Sequence, residues 1–270
     1  MSLPLHRIVN SRSVGQNQNM ILPFPQLNSL NNPSIVLKEN VLYLDASKNG
    51  SYPESGSTWY DISGRNNHAQ LVGSVNFNNN SMEISESFSL TNASSNYIRL
   101  DSSYNDLRIT GNKLTIECWL KVDTPGIVTY PSIVSHRVSY NSGESYSLLR
   151  NEKTLNGEYV FSLNTSVTGS ILHDFSVVPS FGNWDYIAVT YDGSKVRSFK
   201  DGVEVGVPTT VSGNIIDKNV NTYIGAMYAQ NALHAAFYKH MNIGVVRISK
   251  EALSVSDIVT NYNIEKQIYS

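Results

Sequence analysis

The 270-residue sequence contains a single cysteine, Cys118, so no disulfide can form within the chain. Charged residues are scarce, at 16% of the total, and the formal net charge is only -2. No basic run is present, and a near-neutral chain lacks the electrostatic attraction that nucleic acid binding requires. We therefore expect neither a disulfide framework nor a nucleic acid partner.

Export signals and long apolar runs are also missing. The first twenty residues hold no continuous apolar core of the length that a signal peptide has. No stretch approaches the ~20 apolar residues of a membrane helix. We expect a chain with no signal peptide and no membrane span, made in the cytoplasm, in which the sequons at Asn79, Asn92 and Asn164 are chance matches.

The motifs of several enzyme classes are absent as well. The sequence has no G-x-S-x-G elbow and no H-E-x-x-H metal site. No two acidic residues lie two positions apart, the spacing that would place a pair of catalytic carboxylates on one face of a strand. Glu117 stands alone, and Cys118 alternates with apolar residues as an inert core residue does. We predict that the protein is not an enzyme.

The first 36 residues differ in composition from the rest of the chain. They are rich in Asn and Ser, and Pro23, Pro25 and Pro33 interrupt any helix or strand. Their apolar residues distinguish them from a fully disordered tail. We predict an extended N-terminal arm over residues 1–36 that orders against a neighbouring subunit; a flexible leader is the alternative.

From residue 37 the pattern is that of an all-β domain. The segment LTIECWLKV, residues 114–122, alternates between apolar and polar positions and predicts a half-buried strand. The segment WDYIAVTYDGSKVRSFKDGVEVG, residues 184–206, contains three β-prone runs divided by Asp192-Gly193 and Asp201-Gly202. Asp-Gly favours the turns that join antiparallel strands, so this segment predicts a three-stranded meander. Further strands are expected in SYSLLR, EYVFSLNT and NTYIGAMY.

One helix is predicted near the end of the chain, over residues 254–267. Ser254 is a suitable N-cap, and Asp257 lies three residues later, as in a capping box. Leu253 and Ile258 can form the accompanying hydrophobic contact.

Two aromatic-rich stretches are candidates for sugar binding, which uses aromatic rings together with a few planar hydrogen-bonding groups. One is a predicted hairpin over residues 130–150; the other is the segment GAMYAQNALHAAFYKHMN, a predicted long loop. The second stretch is rich in alanine, so a contact surface between subunits is its alternative interpretation. The candidate glycan-binding residues are Tyr130, His136, Arg137, Tyr140, Tyr146, Arg150, Tyr228, His234 and Tyr238.

Four segments in order resemble the laminin-G-like, concanavalin A-like lectin/glucanase superfamily, in the form found in many bacteriophage virion proteins. They are residues 42–73, 114–123, 184–206 and 243–263. One departure is Leu90-Thr91-Asn92, where the family often has Phe-Asp-Gly, and Ser95 stands where an acid is frequent. The resemblance implies an all-β, two-sheet antiparallel jelly-roll sandwich over residues 37–270 that includes the terminal helix.

The resemblance also implies a function. It suggests a non-catalytic phage virion protein, a capsid decoration protein or a tail or fibre component, that displays a lectin-like jelly roll for attachment to glycans. Its expected partners are other virion proteins, reached through the N-terminal arm, and copies of itself, with a trimer favoured. The alternatives are a glycan-binding lectin module not tied to a virion and, third, a glycoside-active enzyme of the same fold.

No cofactor is required by this interpretation, but relatives of this type often bind calcium. Calcium takes six to eight oxygen ligands from loops rich in Asp, Asn and carbonyl groups. The candidate ligands are Asp45, Asp61 and Asn66, with Asn242 as a further one. The segment TWYDISGRNN, residues 58–67, has a structural interpretation too: Trp59 and Tyr60 pack under the rim, and Asp61 accepts N–H bonds from the Ser63-Gly64 turn.

Overall fold

The computed structural model describes residues 34–85, 96–123, 132–139, 143–151, 157–229, 232–235 and 240–269. These belong to one compact unit, Ser34–Ser270. Most of the predicted N-terminal arm lies outside the described residues, so the division at residue 36 stays a prediction.

The described chain is built from β-strands and one α-helix. In chain order the strands are β1 (Asn40–Asp45), β2 (Thr58–Trp59), β3 (Ala69–Val72), β4 (Val75–Asn78), β5 (Ser81–Ser85), β6 (Tyr97–Leu100), β7 (Leu114–Val122), β8 (Ser132–Arg137), β9 (Glu144–Asn151), β10 (Glu158–Thr165), β11 (Gly169–Asp174), β12 (Trp184–Tyr191), β13 (Lys195–Lys200), β14 (Val203–Thr210), β15 (Thr222–Ile224), β16 (Ala226–Ala229), β17 (Ala232–Ala235) and β18 (His240–Ser249). The helix, α1, is Val255–Glu265, and a short 3-10 turn occupies Asn105–Leu107.

Two eight-stranded antiparallel sheets form the sandwich, as the sequence predicts. Sheet A has the order β14-β13-β12-β7-β18-β5-β4, with β1 also paired to β18. Sheet B has the order β11-β10-β9-β8-β15-β6-β3-β2. Apolar side chains from the inner faces of both sheets share one buried core, to which β7 contributes Ile116 and β10 contributes Phe161.

The predicted meander is confirmed as β12, β13 and β14. The turn between β13 and β14 is Asp201-Gly202, and both residues have positive φ, 52° and 77°. Such a pair of left-handed residues matches the twist of a two-residue hairpin. The Asp-Gly turn therefore accounts for the pairing of β13 with β14.

The prediction for β7 was wrong in one respect, because this strand is buried on both faces and not only on one. Its burial pattern shows only Lys121 as less than fully buried. The reason is α1, which packs on the outer face of sheet A and covers Trp119. The helix itself begins as predicted: Ser254 is its N-cap, and Asp257 completes a capping box.

The segment predicted as a long loop contains a hairpin instead. Gly225, with φ 76°, ends β15 within the predicted strand NTYIGAMY, and the chain continues as β16. β16 pairs with β17 as a separate two-stranded sheet. Ala226 and Met227 are buried, so the apolar residues of this stretch pack against the protein itself.

Candidate functional site

The outer face of sheet A offers no accessible site beneath α1. Glu117, the acid that stands alone in the sequence, is 1% exposed and forms an ion pair with Arg247. Glu265, from α1, pairs with the same guanidinium and accepts a hydrogen bond from Trp119 Nε1 at 2.8 Å. Burial opposes the charge of Arg247, but the two carboxylates raise its pKa well above the ordinary value. These groups fasten the helix to the sheet, and their burial closes them to a ligand.

The outer face of sheet B carries a row of polar side chains that crosses most of its strands. Directly paired residues of an antiparallel sheet point to the same face. The row therefore shares one face, opposite the inward-pointing core residues of the same strands. From β2 to β10 it runs through Thr58, Gln70, Arg99, Tyr223, Ser135, Ser147 and Ser162.

One end of this row forms a pocket, which we call the Arg99 pocket. Its volume is about 260 Å³, and it is the place where β3 and β6 meet the turn that follows β6. Polar groups dominate its lining, and two rings, His68 and Tyr104, stand beside them. The lining residues are Thr58, His68, Ala69, Gln70, Arg99, Asp101 and Tyr104.

Arg99 is the cation of the pocket, and it is half-buried. Its guanidinium forms no hydrogen bond or ion pair with any other residue in the part of the chain that the structure describes. Asp101, two residues away, accepts a hydrogen bond from the Ser103 backbone at 2.9 Å. That bond and the Ser103 hydroxyl lower the pKa of Asp101, burial opposes them, and the nearby Arg99 adds a lesser lowering effect. The pocket thus presents an uncommitted cation near an ionised carboxylate.

The hydrogen-bonding directions of His68 and Gln70 are set by the backbone. The Asp61 N–H donates to His68 Nδ1 at 3.0 Å, so the neutral imidazole carries its proton on Nε2. Gln70 Nε2 donates to the Ser57 carbonyl at 2.7 Å, which assigns its amide and leaves Oε1 as an acceptor. The exposed Tyr60 ring stands edge-on to His68 with centroids 5.2 Å apart.

A tyrosine cluster continues the face beyond the pocket. Tyr97 lies edge-on to Tyr223 with centroids 5.7 Å apart, and Tyr228 of β16 lies 6.1 Å from Tyr223. Asn221 Nδ2 donates to the Tyr223 hydroxyl at 3.2 Å. Aromatic rings with polar tips are suited to wet contacts with polar ligands.

None of the predicted glycan-binding residues that the structure describes lines this pocket. His136 and Tyr146 stack at 5.0 Å with almost parallel rings, and both are buried, at 1% and 0% exposure. Tyr146 donates to the Leu107 carbonyl and belongs to the core between the sheets. Arg137 and Arg150 are buried at 2% and 1% exposure.

Those four side chains present no open face to a sugar, because each is enclosed by the protein. Tyr228 is half-buried in the tyrosine cluster. His234 belongs to β17, opposite Met227, and only its backbone is described. Tyr130, Tyr140 and Tyr238 lie outside the described residues. The role of the full set in sugar binding stays a prediction.

The predicted calcium ligands Asp45 and Asp61 are engaged in the fold. Asp45 is 1% exposed; it pairs with Lys48 at 2.7 Å and accepts hydrogen bonds from Ser47 and the Tyr43 hydroxyl. Burial opposes the charge of Lys48, but its hydrogen bonds with Asp45 and the Tyr43 hydroxyl raise its pKa well above the ordinary value.

Asp61 accepts from the N–H groups of Tyr43, Ser63 and Asn67, each at 2.9 Å, so it braces the turn as the sequence predicts. Asn66 is exposed, with φ 60°. Asn242 accepts from Ser81 at 3.3 Å. Among the described residues no three His, Cys, Asp or Glu side chains form a group that could hold a metal ion. Calcium binding stays a prediction.

The two aromatic residues of TWYDISGRNN separate, contrary to the expectation that both pack under the rim. Trp59 is fully buried in the core, whereas Tyr60 is 42% exposed beside the Arg99 pocket. Trp59 Nε1 has no hydrogen-bond partner among the described residues. The alternation of the strand explains the split, since successive side chains point to opposite faces.

The sequence contains a signal for the pocket that does not involve clusters of aromatic residues. In Tyr97–Leu100 the residues Tyr97 and Arg99 alternate with buried Ile98 and Leu100. In Ala69–Val72 the same pattern exposes Gln70. Each strand indicates an outward polar residue, but only the register of the sheet shows that these residues are neighbours.

The fold and the outer face of sheet B together define a lectin-like jelly-roll domain. The chain belongs to the concanavalin A-like lectin/glucanases superfamily, Laminin_G_3, whose profile matches residues 92–259, more than half of the chain. No curated protein matches the sequence. No helix within the described residues has both the length and the apolar character needed to span a membrane.

Solved structures of similar fold include several receptor-binding domains of botulinum neurotoxin. The C/D mosaic serotype domain matches with a TM-score of 0.59 and 15% identity over 83% of this chain and 51% of that one. The type C protein, whose cell entry depends on two ganglioside molecules, gives 0.61 and 16% over 83% and 51%. The serotype D domain in complex with N-acetylneuraminic acid gives 0.58 and 15% over 83% and 50%.

At this identity the likeness establishes the fold alone. The chain spans about half the length of these structural neighbours. The other half of each neighbour has no equivalent in this alignment, so the ligands of the neighbours are properties of those longer proteins.

Proposed function

We propose that the protein is a carbohydrate-binding domain without catalytic activity and that the Arg99 pocket is its sugar site. The observation that carries this proposal is the guanidinium of Arg99, which has no hydrogen-bond or ion-pair partner among the described residues, on an accessible sheet face in a cavity of about 260 Å³. A cation left without a partner is available to a ligand, whereas most other basic side chains on the described surface are paired, as Arg108 is with Asp217.

The groups of the pocket match the hydrogen-bonding needs of a sugar. Each sugar hydroxyl both donates and accepts, so a site for it needs both kinds of group at short range. Arg99 and His68 Nε2 supply donors, and Asp101 and Gln70 Oε1 supply acceptors. The rings of His68 and Tyr60 offer apolar surface for the C–H groups of the sugar.

The same pocket supports binding rather than hydrolysis. Glycoside hydrolysis by the usual route needs two carboxylic groups that flank the scissile bond. Asp101 is the only acidic residue among the described residues that line the Arg99 pocket. Glu117, the isolated acidic residue of β7, is enclosed with Arg247 beneath α1.

Two structural neighbours, one that interacts with gangliosides and one in complex with N-acetylneuraminic acid, support sugar binding through their similar fold. Virion attachment through residues 1–36, assembly as a homotrimer and synthesis in a host cytoplasm are separate predictions from the sequence. The sugar-binding proposal does not depend on them.

The test is binding of the full chain to a glycan array that carries oligosaccharide ladders of laminarin, chitin and sialyl-lactosamine. We expect selective binding that falls at least tenfold in Arg99→Ala, because a hydrogen bond to a charged group contributes about 1.5–3 kcal/mol. Arg197→Ala is the matched control, since it removes the same charge from sheet A. Absence of binding, or equal binding by the Arg99 and Arg197 variants, would refute the proposal.

A further inference from the structure

The Arg99 pocket occupies only one end of the polar row on sheet B. Beyond Tyr223 the row continues through Ser135, Ser147 and Ser162, which are directly paired across β8, β9 and β10. Five strand spacings of about 4.8 Å separate Gln70 from Ser162, so the row is roughly 24 Å long. These serines are at most 3% exposed, so the second half of the row is covered while the first half is open.

Some hydroxyls in the covered half lack hydrogen bonds. Ser147 Oγ and Ser145 Oγ are buried without a partner among the residues that the structure describes. A buried hydroxyl without a hydrogen bond is costly, and most buried polar groups avoid it. Beside them Glu144 is 5% exposed, and burial raises the pKa of its carboxyl against the opposing effects of Ser162 and Arg137. The covered half is therefore a polar surface with unused bonding capacity.

The β16–β17 hairpin packs beside β8 and on Leu149 and Val160, next to this surface, and is not part of sheet B. It is attached at its start, where the Gly225 N–H donates to the Ile133 carbonyl and Ser135 Oγ donates to the Ala226 carbonyl at 2.7 Å. Beyond that, Met227 rests on Leu149 and Val160. A two-stranded hairpin is marginally stable by itself, so its position depends on these contacts.

We propose that the serine row is a second sugar subsite, continuous with the Arg99 pocket, and that the β16–β17 hairpin is a movable cover over it. This inference rests on the proposed function and extends it: the ligand is an oligosaccharide, and its later units replace the hairpin above Ser147. The sugar hydroxyls then supply the hydrogen bonds that Ser145 and Ser147 lack in the free protein. The expected ligand class is a hydroxyl-rich chain of several sugar units.

The movement of the hairpin can be tested without a ligand. Cys118 is the one native cysteine; it is fully buried, and burial raises the pKa of its thiol, so it serves as an internal reference. In Ser147→Cys we expect iodoacetamide to label the new thiol of the native protein at least tenfold faster than Cys118. Labelling of both thiols at the same rate would show that position 147 opens only with the whole fold, which overturns the proposal.

A second variant identifies the hairpin as the part that moves. Ser135→Ala removes the hydroxyl that holds the Ala226 carbonyl, so Ser147→Cys in that background should label about fivefold faster, the effect of one net hydrogen bond. An unchanged rate would contradict the assignment of the hairpin as the cover. Should Ser147→Cys unfold, deuterium exchange of the β16 amides in the unmodified protein tests the movement of the hairpin instead. Exchange in β16 that is faster than in β9 supports the proposal, and exchange as slow as that of β9 overturns it.

Binding to the array ladders tests the subsite itself. Ser147→Ala removes a hydroxyl that has no hydrogen-bond partner within the described part of the chain, so the variant should be as stable as the parent. We expect its affinity for the longest oligosaccharides to fall several-fold while that for the disaccharides is unchanged. Equal affinities of parent and variant for every length would overturn the subsite and leave the Arg99 proposal standing. If Arg99→Ala binds every ladder as the parent does, the proposed function fails instead.

Discussion

Arg247 and Glu117 form an ion pair in the interior of the protein, with Arg247 Nη2 3.1 Å from Glu117 Oε1 and both side chains almost completely buried. The two residues come from neighbouring strands, β18 and β7, and occupy paired positions. Glu265 from α1 shares the guanidinium, so one cation holds two carboxylates beneath the helix. Burial and the neighbouring Glu117 raise the pKa of Tyr186, whose hydroxyl donates to that carboxylate.

Removal of this cation is predicted to be severely destabilising. Arg247→Leu leaves Glu117 and Glu265 buried without a counter-charge, and breaking a buried pair in this way costs about 3–5 kcal/mol. Urea unfolding measures the loss. Arg197→Ala is the control, because its pair with Glu204 is partly exposed and should contribute less than about 1 kcal/mol. Equal losses in the two variants would contradict the role assigned to Arg247.

His173 is predicted to make the fold sensitive to acid. It joins the two sheets, since Nδ1 lies 2.8 Å from Thr209 Oγ1 of β14 and Nε2 lies 3.0 Å from Ser198 Oγ of β13. Burial lowers the pKa of His173 to about 4, and Asp174 opposes this shift. Because the unfolded chain takes up the proton at higher pH, stability is complete above about pH 6.5 and falls as the pH drops towards 4.

The loss is at most about 3.4 kcal/mol, because the pKa of His173 falls from 6.5 to about 4 and each pH unit between them contributes about 1.36 kcal/mol. His173→Gln keeps one donor and one acceptor but cannot be protonated. We expect its free energy of unfolding to change less than that of the parent between pH 6.5 and pH 4. Parallel pH curves for the two proteins would rule out His173 as the titrating group.

The parts of the fold that the sequence predicted depend on neighbours in the chain. The meander depends on its Asp-Gly turns, and the start of α1 depends on Ser254 and Asp257, which are three residues apart. The burial of both faces of β7 depends on contacts between Glu117, Arg247 and Glu265, which are far apart in the sequence. A polar residue that alternates with apolar ones looks solvent-exposed until the covering helix is placed.

The candidate site was harder to predict for a related reason. His136 and Tyr146 are residue types common in sugar sites, but their side chains point inward. There His136 Nδ1 shares a hydrogen bond with the Thr222 hydroxyl, and the Tyr146 hydroxyl donates to a backbone carbonyl. Arg99 and Gln70 lie 29 positions apart in the chain and become neighbours only through the register of β3 and β6. Register is a property of the whole sheet, so inspection of single strands does not show it.

Asn261 is predicted to hold the start of the described chain against α1. Its Oδ1 accepts the Val36 N–H at 2.7 Å, and its Nδ2 donates to the Val36 carbonyl and to Glu117 Oε1. Asn261→Ala should lower the free energy of unfolding by about 2–3 kcal/mol, because buried partners lose their hydrogen bonds. It should also speed deuterium exchange at Val36.

Asn263→Ala is the matched control for this prediction. Asn263 lies on the exposed side of the same helix, where Lys266 is its one side-chain hydrogen-bond partner among the described residues. We expect a change within about 0.5 kcal/mol and unaltered exchange at Val36. Exchange that is equally fast in both variants would mean that Val36 is not held by Asn261.

Gly206 is predicted to be required where the edges of the two sheets meet. It lies in β14 with φ 69°, and a Cβ atom there would stand 2.8 Å from the Asp174 carbonyl oxygen at the end of β11. Gly206→Ala therefore combines left-handed strain, about 1–2 kcal/mol, with a clash against backbone that side-chain rotation cannot relieve. Gly56→Ala separates the two effects, since Gly56 has φ 90° but no atom within 4 Å of its added Cβ. Thermal and urea unfolding should show that Gly56→Ala lowers the free energy of unfolding by about 1–2 kcal/mol. Gly206→Ala should lower it by at least about 1 kcal/mol more. Equal losses in the two variants would show that β11 and β14 can move apart without cost.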